Sequence, residues 1–188
     1  MHETIQEIIQ WDTQLFLTLN NLGSEKWDLF WLVVTEMKSW IPLYIFLAYL
    51  LYRQFGIKKI LLVILLAALL ITLSDQTCNL FKHSFARFRP CYNQELEGLM
   101  RLVKDGCGGK YGFVSAHAAN HFALALFLGN IFQQKYKWSL ILFLLWASMV
   151  AYSRIYVGVH YPLDSIVGAL IGSMYGYIFY LLYTRFKH

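Results

Sequence analysis

Five predominantly apolar stretches, residues 40–52, 57–80, 113–132, 138–152 and 163–183, constrain this chain more than any other feature. At 1.5 Å of rise per residue, the longer of them match the roughly 30 Å hydrocarbon core of a bilayer. Within lipid every backbone N–H and C=O must find its partner inside the protein, so runs of this length form helices. Composition agrees: of 188 residues, 58% are hydrophobic and 14% charged, against about a quarter charged in a soluble domain. The expected fold is all-α, a polytopic transmembrane helical bundle of five to six spans plus an N-terminal interfacial helix. No Pro/Gly/Ser-rich linker or repeat divides the sequence. Residues 1–188 therefore read as a single membrane-embedded domain, with 1–38 as an N-terminal interfacial and first-span region and 40–183 as the bundle that carries the chemistry. The net charge of +5 does not signal nucleic acid, because the basic residues sit between apolar runs and not along a solvated stripe.

Residues 3–19 place Ile5, Ile8, Ile9 and Leu15, Phe16, Leu19 at helical spacing among Glu3, Glu7 and Asp12, the pattern of a helix lying in the interface. Met1–Asn21 lacks the basic start and continuous apolar core of a cleavable signal. The 40–52 run is short for a crossing and is expected to extend backwards through Trp27–Val34, with a break near Ser39 and Pro42, either as one bent span or as two helices. Trp27, Trp31 and Trp40 fit an interfacial aromatic belt.

The linkers 53–59 and 133–137 and the tail 184–188 are short, basic and, by alternation of spans, on one side, which the positive-inside rule makes cytoplasmic. Segments 82–112 and 153–161 then share the opposite face. Yet that face carries Lys82, Arg87, Arg89, Arg101, Lys104, Lys110 and Arg154, so something other than topology requires cations there.

Three groups of polar residues meet at that face, each at the end of an apolar run: Lys82 with Arg89-Pro90, Ser115-Ala116-His117, and Ser153-Arg154 followed by His160 and Asp164. Three cations on one site suit a phosphoryl group, since arginine offers a planar fork for two oxygens and lysine a compact charge. A helix starting near Val114 adds free backbone N–H groups at its positive end, and the Ser115 hydroxyl can join them. His117, in that first turn, is placed to protonate a departing oxygen. His160 and Asp164 are four residues apart with Pro162 suited to the first turn between them, so the carboxylate can bond one ring nitrogen and leave the other as a nucleophile. Paired histidines of this kind predict a bell-shaped pH profile.

These residues resemble the type 2 phosphatidic acid phosphatase family, whose pattern is KxxxxxxRP, PSGH and SRxxxxxHxxxD. Residues 82–90 read KHSFARFRP and residues 153–164 read SRIYVGVHYPLD, both full matches. The middle motif reads VSAH at 114–117, with Val114 for Pro and Ala116 for Gly; the N–H of Ala116 survives, but its methyl can crowd a phosphate oxygen. The resemblance implies a phosphatase with no cofactor and no metal, in which Lys82, Arg89, Arg154, Ser115 and Ala116 bind phosphate, His117 is the acid, His160 attacks and Asp164 supports it. Vanadate-dependent haloperoxidases share the pattern but are soluble and much larger. The implied partner is a phosphorylated lipid in the bilayer, and the implied place is a bacterial inner membrane with the site on the periplasmic side. Undecaprenyl diphosphate, phosphatidic acid, phosphatidylglycerophosphate and lipid A all present the same phosphate chemistry, and a polyprenyl diphosphate is the first choice among them. The rival reading is a non-catalytic lipid-binding or transport bundle.

Lesser features complete the expectations. Cys91 and Cys107 lie in one polar loop and can pair if it faces an oxidising compartment, whereas Cys78 sits in an apolar run. Asp75, costly within a span, is expected to bond Asn79 one turn away. His83 and His121 read as structural, with His121 on the His117 face and able to line the pocket. Lys110, after Gly108-Gly109, is placed to add to substrate binding.

Overall fold

The computed structural model describes residues 2–186; Met1 and the last residues of the basic tail, Lys187 and His188, lie outside the described residues. Among the described residues six helices make the bundle: α1 (His2–Asn21), α2 (Glu25–Thr35), α3 (Ile41–Phe85), α4 (Ala116–Gln133), α5 (Ser139–Tyr156) and α6 (Pro162–Phe186). Short 3-10 turns cover Met37–Trp40, Pro90–Tyr92 and Gln94–Leu96. Three segments among the described residues, Met37–Phe85, Ser139–Tyr156 and Pro162–Phe186, are long and apolar enough to cross a membrane.

The 45-residue α3 is two helices in one, bent at Gly56, where φ is 78°. Only glycine enters that conformation without steric cost, and the basic 53–59 linker becomes a tight reversal at this residue. Leu61, Leu65, Leu69 and Leu73 follow one another at four-residue spacing on the exposed face of the second half, which in a bilayer is a lipid-facing stripe.

The open choice at the N-terminus resolves in favour of two helices. α2 spans 11 residues, about 16 Å, too short to cross, and Glu36 breaks it from the 3-10 turn with φ −83° and ψ 120°. Its apolar side packs on α5, where Val34, Trp146 and Val150 form one buried cluster. Trp31 stacks on Tyr156 at 5.2 Å, and Trp40 packs on Trp146 while donating to the Val34 carbonyl at 3.0 Å. Of the expected belt, only Trp27 is well exposed, at 59%; the other two fill the α2–α5 seam because their rings find more apolar surface there than at the headgroups.

α4 is the most enclosed helix. Along α6, Gly168, Gly172 and Gly176 fall at four-residue spacing against Ser115, Ala119 and Ala123, and a Cβ on Gly172 would collide with the Ala119 carbonyl. Small residues at this spacing let two backbones approach closely. Packed among its neighbours, α4 can carry His117, Asn120, His121 and Asn130. Its start also differs from the sequence expectation: Ser115 is the N-cap and Ala116 the first helical residue, so Val114 belongs to the preceding loop.

α1 lies beside α5 and α6. Ile5, Ile8, Ile9 and Trp11 are about half exposed, while Phe16 is fully buried with Leu96, Ile155 and Tyr161. The amphipathic reading of this segment holds in shape. What it missed is that Asp12 and Asn20 are fully buried.

Candidate active site

His160 lies in the turn between α5 and α6. This turn folds back on α5, with the backbone N–H groups of Val159 and His160 donating to the Arg154 carbonyl at 3.1 and 3.3 Å. Gly158 takes φ 85°, and a Cβ there would sit 2.6 Å from the Arg101 carbonyl. The interval between Arg154 and His160 is therefore the length of one closed turn that delivers a cation and a ring to the same place.

Pro162 opens α6, and Asp164 in its first turn accepts from His160 Nδ1 at 3.2 Å and from the Tyr161 N–H at 3.0 Å. With Nδ1 donating, Nε2 keeps its lone pair. Both residues are buried, His160 at 1% and Asp164 at 0% exposure. Burial first, then the charges of Arg89, Arg154 and Lys82, hold the His160 imidazole well below its ordinary pKa, so the ring starts neutral.

Lys82, Arg89, Ala116, His117, Arg154 and His160 line one cavity of about 550 Å³. The two imidazoles, from α4 and from the α5–α6 turn, thus face a common space beneath three cations. Each cation is held by its own element. Lys82 closes the last turn of α3 and bonds Asn79 at 3.3 Å, and Asn79 in turn donates to Asp75 at 3.1 Å, the one-turn contact expected from sequence. Arg89 is fixed by the Tyr111 carbonyl at 3.3 Å in a short antiparallel bridge between Phe88 and Tyr111. Arg154 reaches across to the Thr35 hydroxyl at the end of α2. Lys104, in the loop, lies near enough to Arg154 that burial followed by that charge lowers its pKa.

Ser115 sits differently from its expected place. It is fully buried and outside the cavity wall, with its Oγ accepting from the Ala118 N–H at 3.4 Å. Its backbone N–H donates to the Asp164 carbonyl at 2.9 Å, which ties the starts of α4 and α6 together. Ala116 does line the cavity. Lys110 stands 5.0 Å over the Phe88 ring and His83 is exposed, both away from the wall. His121 lines the cavity and sits 4.9 Å from Trp146. Cys91 and Cys107 are joined in a disulfide with Cα atoms 6.2 Å apart, and Cys78 is free and buried.

Two residues stand behind the dyad in contacts that the sequence did not signal. Arg87 donates to Asp164 Oδ1 at 3.2 Å and to Asp12 Oδ2 at 2.7 Å, with its guanidinium 4.0 Å over the Tyr161 ring. Asp12 Oδ1 accepts from the Leu163 N–H at 2.9 Å, within the first turn of α6. A similar tie holds the other outer cation: Arg101 pairs with Asp28 at 2.8 Å, while Asn20 bonds the Arg101 backbone at 2.7 and 3.0 Å. Of the basic residues on this face, Lys82, Arg89 and Arg154 are cavity cations and Arg87 and Arg101 structural clamps.

The chain matches the PAP2 superfamily over residues 56–187. It is 39% identical over 173 residues to a lipid A 4′-phosphatase of Bacteroides thetaiotaomicron, covering 91% of this chain and 76% of that protein. A lipid A 4′-phosphatase of Porphyromonas gingivalis is 33% identical over 183 residues, covering 95% and 75%. An undecaprenyl-diphosphatase of Sulfolobus acidocaldarius is 52% identical over 42 residues only, 22% of this chain and 20% of that protein. The crystal structure of Aquifex aeolicus LpxE superposes with a TM-score of 0.68 and 26% identity over 93% of this chain and 94% of that one. A PAP2-type phosphatidylglycerolphosphate phosphatase of Bacillus subtilis shares the fold, with a TM-score of 0.69, 18% identity and coverage of 96% and 86%. On the sequence match, the relatives and the fold together, this chain belongs to the PAP2 superfamily.

Proposed function

We propose that this protein removes the phosphate of a lipid A-type glycolipid at the outer face of a bacterial inner membrane, through a phosphohistidine on His160. Membership of the family, with relatives that are lipid phosphatases along most of the chain, makes it a phosphatase acting on lipids. The observation that carries the mechanism is the buried His160–Asp164 pair opening on the same cavity as Lys82, Arg89, Arg154 and His117.

The phosphate oxygens rest against the three cations and the N–H groups at the start of α4, which neutralise charge where it develops. His160 Nε2 attacks phosphorus, the bond to the lipid oxygen breaks, and that oxygen takes a proton from His117. Asp164 holds the Nδ1 proton throughout and stabilises the charge that forms on the ring. In the second half His117 takes a proton from water, the resulting hydroxide character attacks phosphorus, and inorganic phosphate leaves with His160 restored. Among substrates, the two relatives that match along most of the chain favour a sugar-linked phosphate over the polyprenyl diphosphate preferred from sequence, since the diphosphatase likeness is confined to 42 residues. The pocket end of the bundle is the periplasmic one in this reading, and residues 1–188 act as one catalytic domain.

The test is phosphate release by the purified protein, with EDTA present, from lipid A, short-chain phosphatidic acid and a polyprenyl diphosphate. We expect turnover by the parent chain and none by His160→Ala, with vanadate, which imitates five-coordinate phosphorus, as an inhibitor. Turnover that survives His160→Ala removes the nucleophile from this mechanism.

A further inference from the structure

Below its cationic roof the active-site cavity has a second, unlike wall. Thr72, Asp75 and Gln76 of α3 and Asn120 and His121 of α4 line it. Gln76 lies six residues below Lys82 along α3 and Thr72 ten, about 9 and 15 Å at helical rise, so these groups stand at hydrocarbon depth. Polar side chains there are costly unless something pairs with them. Asn120 Oδ1 and His121 Nε2 are buried without a hydrogen-bond partner. His121 Nδ1 is taken up by the His117 carbonyl at 2.8 Å; a carbonyl only accepts, so Nδ1 carries the proton and Nε2 is an acceptor. Asp75 is likewise an acceptor, and one of its oxygens is already bonded to Asn79. The two atoms of this wall that are buried without a partner, Asn120 Oδ1 and His121 Nε2, are therefore both acceptors that call for donors.

An apolar cavity of about 450 Å³ continues from it, sharing Met37, Ile71, Asn120 and His121 and running on between Leu47 and Val63. Phosphate site, acceptor wall and apolar slot thus follow one another. A polyprenyl diphosphate has hydrocarbon directly after its phosphates, and the glycerol diester of phosphatidic acid has only acceptors. Either would leave Asn120 Oδ1 and His121 Nε2 buried without a donor, at a cost for each. An acylated amino sugar offers hydroxyl and amide N–H donors between phosphate and acyl chains.

We infer that Asp75, Asn120 and His121, with Gln76 at the rim, form a headgroup subsite that selects a lipid whose phosphate is carried on an N-acylated sugar. This rests on the phosphatase reading above and assigns its specificity. The experiment compares kcat/KM for lipid A, dioctanoyl phosphatidic acid and farnesyl diphosphate in the same mixed micelles, for the parent, Asn120→Leu, Asn120→Asp and Gln76→Leu. The ratio of lipid A to phosphatidic acid turnover falls about tenfold in Asn120→Leu, the scale of one buried hydrogen bond, falls less in Gln76→Leu, and stays near the parent value in Asn120→Asp, which keeps an acceptor. Equal losses on all three lipids in both leucine variants, or a parent with no preference for lipid A, overturn the subsite while leaving the phosphatase standing. A parent that releases phosphate from none of the three overturns both.

Discussion

Both carboxylate oxygens of Asp164 are committed, Oδ2 to His160 and the Tyr161 N–H, Oδ1 to Arg87, so the ring it holds has one orientation. Asp164→Asn replaces an acceptor by an amide that cannot serve all three donors, and kcat is expected to fall roughly a hundredfold or more with KM little changed, as measured by steady-state phosphate release. The pH dependence follows from the same neighbourhood. Burial first, and then the cations beside it, disfavour the His160 imidazolium and push its pKa down, so the nucleophile stays neutral as pH falls through the ordinary value of about 6.5. The acid limb of kcat/KM is then expected below that value. Removing a cation raises the ring's pKa, and Arg89→Gln should move the limb to higher pH while lowering kcat/KM. The histidines, the three cavity cations and Asp164 were legible because their spacing in each motif is local: one helical turn for 160 and 164, one closed loop for 154 and 160. Ser115 was legible by position but not by contact, since a serine before a helix caps it as readily as it faces a ligand.

At the scale of elements, α1 is more than a float on the membrane surface. Its Asp12 holds the first turn of α6 and, through Arg87, the far side of Asp164. Asp12→Ala is expected to lower kcat roughly tenfold with a smaller change in KM, and Asp12→Asn, which keeps an acceptor for Leu163, to recover part of the loss. Helix contact sets a second expectation. Gly172→Leu forces α6 away from the Ala119 backbone, and the detergent-solubilised protein should lose roughly 1–3 kcal/mol of stability or more, visible as a lower Tm. None of the Asp12 contacts could be read from sequence: its partner is 75 residues away, and an acidic residue on an amphipathic helix ordinarily faces water. The α2–α3 break was half legible, because Pro42 and Ser39 mark an interruption without saying whether the axis bends or stops.

For the whole molecule, the five-run pattern foretold the bundle, since period and length of apolar sequence are what a bilayer selects. Which end faces outward is a separate question that the Cys91–Cys107 bond makes accessible. In intact cells both thiols should resist a membrane-impermeant maleimide until an impermeant reductant is added and react afterwards, the outcome for a loop in an oxidising compartment; thiols that stay unlabelled before and after that reductant and react only once the cells are permeabilised would place the loop on the cytosolic side. The cavity opens along α3 between residues at mid-span depth, Thr72 and Gln76 being exposed there. If the lipid phosphatase reading holds, substrate is expected to arrive by sliding within the leaflet. Initial rates should scale with the mole fraction of substrate in the micelle or vesicle surface, and adding inert detergent at fixed total substrate should slow the enzyme by surface dilution alone.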